Sequence, residues 1–198
     1  MSNDASRCAP ILVLGVGNSL LGDDGIGVHL VHRLSEWESE WNGPVEFMDG
    51  GTRGLALLEP IAGRDVLVIL DAVSLGFPPG TIYVRQDKEV LDLSYRSTSA
   101  HEGNAGELLF IAALLGELPT RTFLIGIEPA RLESGIELSE PVKEAIPAAL
   151  EAARRVVVQA LDPQTTLRDE DIPDWEPMAE SDEESQEVWG GLWNAPST

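Results

Sequence analysis

Five short apolar runs alternating with helix-like stretches predict an α/β fold. The expected form is a three-layer sandwich, in which a mainly parallel, twisted five-stranded sheet carries helices on both faces. Two observations carry this expectation and a third qualifies it. The runs Ile11–Val16, Val45–Met48, Val66–Leu70, Thr81–Val84 and Thr122–Ile127 are rich in Val, Ile and Leu and bounded by Gly, Pro or Asp, which is the pattern of buried strands. Between several of them the apolar spacing changes to that of helices. The connection from Leu70 to Thr81, however, is only ten residues long and contains Phe77-Pro-Pro-Gly80. A parallel crossover needs about a dozen residues or more, so the fourth strand is expected to run antiparallel to its neighbour or to lie at an edge.

The helices come next in chain order. In Gly25–Trp37, Ile26, Leu30, Leu34 and Trp37 recur at steps of four, four and three, which is one face of a helix. Gly106–Gly116 is apolar nearly all round and is expected to be buried. Ser139 is placed to cap a last helix that reaches Leu161 and turns Val142, Ile146, Leu150 and Ala153 inward. Pro147 is expected to kink it, because proline removes an interior hydrogen bond and crowds the preceding turn.

The 198 residues allow one well-cored α/β domain, expected over 1–161, and a remainder, 162–198. The remainder holds eleven acids and one base, is rich in Pro and Ser, and lacks periodicity, so it is expected to be a disordered acidic tail. Trp175, Trp189 and Trp193 within it leave room for a docking role. Overall the chain carries a formal charge of -21 at 43% hydrophobic and 24% charged residues. So acidic a chain repels nucleic acid and anionic membrane surfaces, and neither is an expected partner. The apolar run at the first strand is too short to span a membrane and lacks the features of a signal peptide. The single cysteine, Cys8, allows no internal disulfide and is expected to be inert, and a monomeric, cytoplasmic protein is expected.

In open α/β sheets, ligands sit beyond the carboxyl ends of the parallel strands. Gly15-Val-Gly-Asn18 and then Asp23-Asp24 come after the first strand. Asp49-Gly-Gly-Thr-Arg-Gly54 comes after the second, and Asp71 ends the third. The stretch Arg85–Ala100 is long enough to return to the same edge and deliver His101. The glycine turn after the first strand would ordinarily offer helix amides to an anion, but two acids stand there, which suits a cation or an acid that must stay ionised. Two carboxylates and an imidazole can hold a divalent transition metal such as Zn, Ni, Co or Fe, or serve as acid, base and orienter without one. Each residue also has a structural role open to it: Asp24 compensating a helix dipole, Asp71 capping a loop, His101 an ordinary loop histidine, Asp49 shaping its turn. Asp23 has no assigned role. His29 and His32, one helical turn apart, are a weak second candidate for metal. Dinucleotide, P-loop and nucleophile-elbow patterns are all absent, which weakens a serine-hydrolase reading of Ser19.

These residues closely resemble the nickel–iron hydrogenase maturation endopeptidases. The resemblance rests on Ile11-Leu-Val-Leu-Gly-Val-Gly-Asn-Ser-Leu-Leu-Gly-Asp-Asp-Gly-Ile-Gly-Val28, Asp49-Gly-Gly-Thr52, Val66-Leu-Val-Ile-Leu-Asp71, Ser99-Ala-His101 and Gly126-Ile-Glu-Pro129, and runs from Ile11 to Leu161. It implies a peptide hydrolase with an aspartate-type site that removes a short C-terminal peptide from a hydrogenase large-subunit precursor after nickel insertion. It also implies that Asp24, Asp71 and His101 contact nickel that arrives with the substrate and is not permanently bound. Some relatives carry glutamate where this chain has Asp24, and the shorter side chain draws the carboxylate about one methylene toward the backbone. Water, polarised by nickel, is the expected nucleophile. Two alternatives stay open at this point: a non-catalytic, metal-sensing chaperone of the same precursor, and a peptidase with its own bound metal.

Overall fold

The structure, a computed structural model, describes residues 9–37, 41, 43–96 and 105–161. Its centre is a sheet of five strands, β1 (Ile11–Val16), β2 (Val45–Gly51), β3 (Val66–Ala72), β4 (Ile82–Gln86) and β5 (Arg121–Ile127). Their order is β2-β1-β3-β5-β4. β1 pairs in parallel with β2 and β3, and β3 pairs in parallel with β5. β4 lies at the edge and pairs antiparallel with β5, so the short Pro-rich connection does reverse the chain.

Strand side chains alternate between the two faces, and each face has its own core. On one side Ile11, Val13, Val68, Phe123 and Ile125 pack against α1 (Ile26–Ser35) and α5 (Glu140–Leu161). On the other, Leu12, Leu14, Leu67 and Ile69 pack with Leu57, Ile61, Val90 and Leu108, which come from three further helices. These are α2 (Leu58–Ile61), entered through a 3-10 turn at Gly54–Leu57, α3 (Lys88–Arg96) and α4 (Ala105–Leu115). Because β1, β3 and β5 are covered on both faces, they read as unbroken apolar runs rather than alternating ones.

α5 is a single helix that contains Pro147, and its inward face, from Val142 to Ala160, is buried along its length. One detail differs from the sequence expectation. α4 is not wholly buried: Leu108, Leu109 and Ala112 face the core, while Leu114 and Leu115 are 53% and 59% exposed. It forms an outer layer of a three-layer fold, so among the described residues no further layer packs on its other side. The expected tail, 162–198, and Cys8 lie outside the described residues. No described helix is long and apolar enough to cross a membrane.

Candidate active site at the strand ends

The turn between β1 and α1 is built by glycine. Gly17 has φ +123, and a Cβ there would overlap the carbonyl oxygen of Asp24. A Cβ on Gly27 would likewise overlap the carbonyl oxygens of Val16 and Leu70, so α1 can begin hard against the ends of β1 and β3 only as glycine. A 3-10 turn, Gly22–Gly25, sets the two acids before the helix. The Asp24 carboxylate accepts a hydrogen bond from the Asn18 amide at 2.8 Å, and α1 has no side-chain cap. Asp24 is therefore tied back across its own turn and does not cap the helix.

Asp71 stands at the carboxyl end of β3, opposite Gly126 of β5. One of its carboxylate oxygens accepts from the Ala72 amide at 2.8 Å. Burial raises its pKa, and the charge of Asp24 raises it further, to about 7, against the opposing pull of the Ala72 amide. The two acids are thus close enough to sense one another, and near neutrality Asp71 is poised between its protonated and ionised forms. Such a pair can bind a cation or move a proton.

This shift links stability to pH. The folded state holds the Asp71 proton from the ordinary carboxylate range up to about pH 7, while the unfolded chain releases it near 3.8, so stability falls with rising pH across that window and is flat above it. Asp71→Asn should remove that dependence. The expected result is a variant equal to the parent in urea midpoint at pH 4 and more stable than it at pH 8, read by urea unfolding monitored at both pH values.

Asp23 faces the other way. It is fully buried, and its carboxylate accepts from the amides of Ala130 at 2.9 Å, Arg131 at 3.1 Å and Ser139 at 2.6 Å, and from the Ser139 hydroxyl at 2.8 Å. Burial alone would raise its pKa, but the four donors outweigh it and hold the carboxyl below its ordinary value. Ser139 does sit just before α5, and its carbonyl accepts the Lys143 amide. Its hydroxyl, expected to cap that helix, is given to Asp23.

Glu128, inside Gly126-Ile-Glu-Pro129, is a second buried acid of this kind. Its carboxylate accepts from the amides of Leu75 at 2.9 Å and Gly76 at 3.0 Å and from the Tyr83 hydroxyl. Burial, and then Glu128, push the Tyr83 pKa up. The segment leaving β5 therefore holds both neighbouring loops: the one bearing Asp24 through Asp23, and the one after Asp71 through Glu128.

The remaining candidates fall elsewhere. Asp49 ends exposed near the tip of β2, where its carboxylate meets His32 Nε2 at 3.1 Å and its carbonyl accepts from Arg53. His29 is exposed on α1. Among the described residues no three His, Cys, Asp or Glu side chains form a metal-binding cluster. The structure brings Asp24 and Asp71 together; His101, four positions before α4 begins, lies outside the described residues.

A three-layer α/β sandwich with paired carboxylates on the parallel strand ends defines a class of site able to bind a cation or move a proton. Comparison with known proteins makes it specific. The sequence profile of the hydrogenase maturation protease family matches residues 28–156. The hydrogenase expression/formation protein HupD of Thiocapsa roseopersicina is 41% identical over 152 residues, covering 75% of this chain and 68% of that one. The hydrogenase 2 maturation protease of Escherichia coli K12 is 40% identical over 166 residues, covering 80% and 99%. The solved structure of the hydrogenase maturating endopeptidase HybD from E. coli superposes with a TM-score of 0.67 at 37% identity, covering 76% of this chain and 93% of that one. The chain belongs to the hydrogenase maturation protease family, and it is a peptide hydrolase.

Proposed function

We propose that this chain removes the C-terminal extension of a nickel–iron hydrogenase large-subunit precursor once nickel has been inserted, with the nickel in the substrate serving as the recognition element. Family membership supports the protease role. The observation that carries the finer reading is the Asp24–Asp71 pair, in which burial first and the Asp24 charge second raise Asp71 to about 7. Two acids in this state are short of a positive charge, and a cation delivered between them relieves both the repulsion and the burial cost. Ligation favours the ionised carboxylate, so engagement should release the Asp71 proton.

In this mechanism Asp24, Asp71 and His101 contact the substrate's nickel. A precursor without nickel lacks that attraction and binds too weakly to be cut, so specificity is a difference between two affinities. Water attacks the peptide carbonyl, with the metal as Lewis acid and a site carboxylate or His101 taking the proton.

The test is intact-mass spectrometry of nickel-loaded and metal-free precursor after incubation with the full chain. Loss of the extension from the loaded form alone is the expected result. Equal shortening of both forms would refute the role given to nickel, and complex formation without any mass change would refute hydrolysis of this precursor.

A further inference from the structure

We propose that Leu20 and Ile136 form a preordered apolar anchor for the protein substrate beside the acid pair. They are the most exposed large apolar residues among the described ones, at 67% and 72%. Single surface leucines are ordinary. These two, however, come from distant parts of the chain and are brought to neighbouring backbone positions by tertiary hydrogen bonds. The Gly135 amide donates to the Leu20 carbonyl at 2.9 Å, the Gly22 amide donates to the Gly135 carbonyl at 2.7 Å, and Leu21 bridges Gly135 in parallel. On one flank Asp23 holds Ala130, Arg131 and Ser139. On the other, Arg131 donates through its guanidinium to the Glu137 carbonyl. The backbone on both sides is pinned, and the two side chains are held in solvent instead of collapsing onto the core.

Their position says what they serve. Leu20 lies in the same turn as Asp24, and Ile136 in the segment leaving β5, so both stand on the edge where the parallel strands end. Leu55 and Phe77, 44% and 42% exposed, come after β2 and β3 on that edge. The occupant is the protein substrate itself, through apolar side chains near the bond to be cut. A peptide hydrolase must seat a polypeptide at this edge, and apolar contact is the attraction that survives next to carboxylates. A second copy of a chain with formal charge -21, or an anionic membrane, would be repelled. Anchoring residues already fixed in place lose little conformational freedom when covered, which increases the affinity obtained from them.

This rests on the reading of the chain as a precursor endopeptidase, and the test separates the two. Steady-state cleavage of nickel-loaded precursor is measured for the full chain, for Leu20→Ser, Ile136→Ser and the double variant, and for Leu114→Ser on the outer face of α4. The double variant should raise KM about tenfold, from the apolar burial lost. Its kcat should stay within about twofold of the parent, since a contact made equally in ground and transition states changes KM alone. Leu114→Ser should match the parent, and none of the variants should lower the melting temperature. An unchanged KM in the double variant overturns the proposal, as does an equal rise in KM from Leu114→Ser. So does a melting temperature lowered by several degrees, which would mean that the chain's own residues cover the pair. If the parent chain leaves nickel-loaded precursor uncut, the endopeptidase reading fails; equilibrium binding of the same precursor to parent and double variant then decides the anchor, with equal affinity refuting it.

Discussion

Asp24→Ala and Asp71→Ala are each expected to lower precursor cleavage by about a thousandfold or more, the scale of losing a positioned proton-transfer or charge-stabilising group, while the fold persists. The structure gives separate reasons for persistence in the two cases. Asp24→Ala loses one hydrogen bond, from the Asn18 amide, which is worth about 1–2 kcal/mol. Asp71→Ala removes a half-buried carboxyl whose surroundings disfavour its ionised form, so at pH 8 that variant should melt no lower than the parent. The loss of activity can therefore be separated from the loss of structure by melting curves taken beside the cleavage assay. A fall of cleavage matched by unfolding would assign both acids to structure. Asp24→Ala carries a second readout. The Asp24 charge is the second cause, after burial, of the raised Asp71 pKa, so carboxyl-carbon NMR titration of Asp71 in this variant should move to lower pH. No movement would mean that the two acids do not share a site.

The largest effect on stability is expected one residue away. Asp23→Ala leaves three part-buried amides and the Ser139 hydroxyl without the buried acceptor they now share. Orphaning such donors should cost about 3 kcal/mol or more, which for a domain of this size lowers the melting temperature on the order of 10 °C. Asp23→Asn should fall between, because the amide retains one acceptor oxygen but turns a donor toward donors. The pH dependence has the opposite sign to that of Asp71. The Asp23 pKa is lowered by folding, so its contribution is present above the unfolded value near 3.8 and is lost as pH falls through the folded one. Thermal unfolding of parent and variant at pH 7 and at acid pH measures both effects. A melting temperature within about 2 °C of the parent at pH 7 would show that the clamp carries little energy.

The strands were legible because burial on both sides leaves a local mark: five apolar runs, all recovered within a few residues of their ends. Thr81–Val84 became Ile82–Gln86 and Val45–Met48 became Val45–Gly51, shifts at ends where glycine and polar residues continue the ladder without an apolar signal. α2 and α3 went unread. α2 is a single turn holding Pro60, too short to establish a period, and α3 lies within Arg85–Ala100, which was read only as a connection back to the site edge. Asp71 was legible because it stands at the carboxyl end of β3, and Asp24 because it lies in the turn that follows β1; a parallel sheet gathers those ends on one edge. Glu128 was visible only as part of a recurring motif, with nothing to say that its carboxylate would bind two amides across the sheet.

Local sequence determined the α/β class, the reversed edge strand and the edge at which acids collect, since hydrophobic period, turn residues and connection length are properties of neighbouring residues. Only the family resemblance singled out Asp24; local sequence offered no physical ground for dividing the work between it and Asp23, which are adjacent, identical and in one 3-10 turn. Tertiary structure decided that, because the donors that draw Asp23 inward lie more than a hundred positions along the chain. Successive residues of so tight a turn point in different directions. Once one acid is committed to those amides, the other is left on the side that faces Asp71.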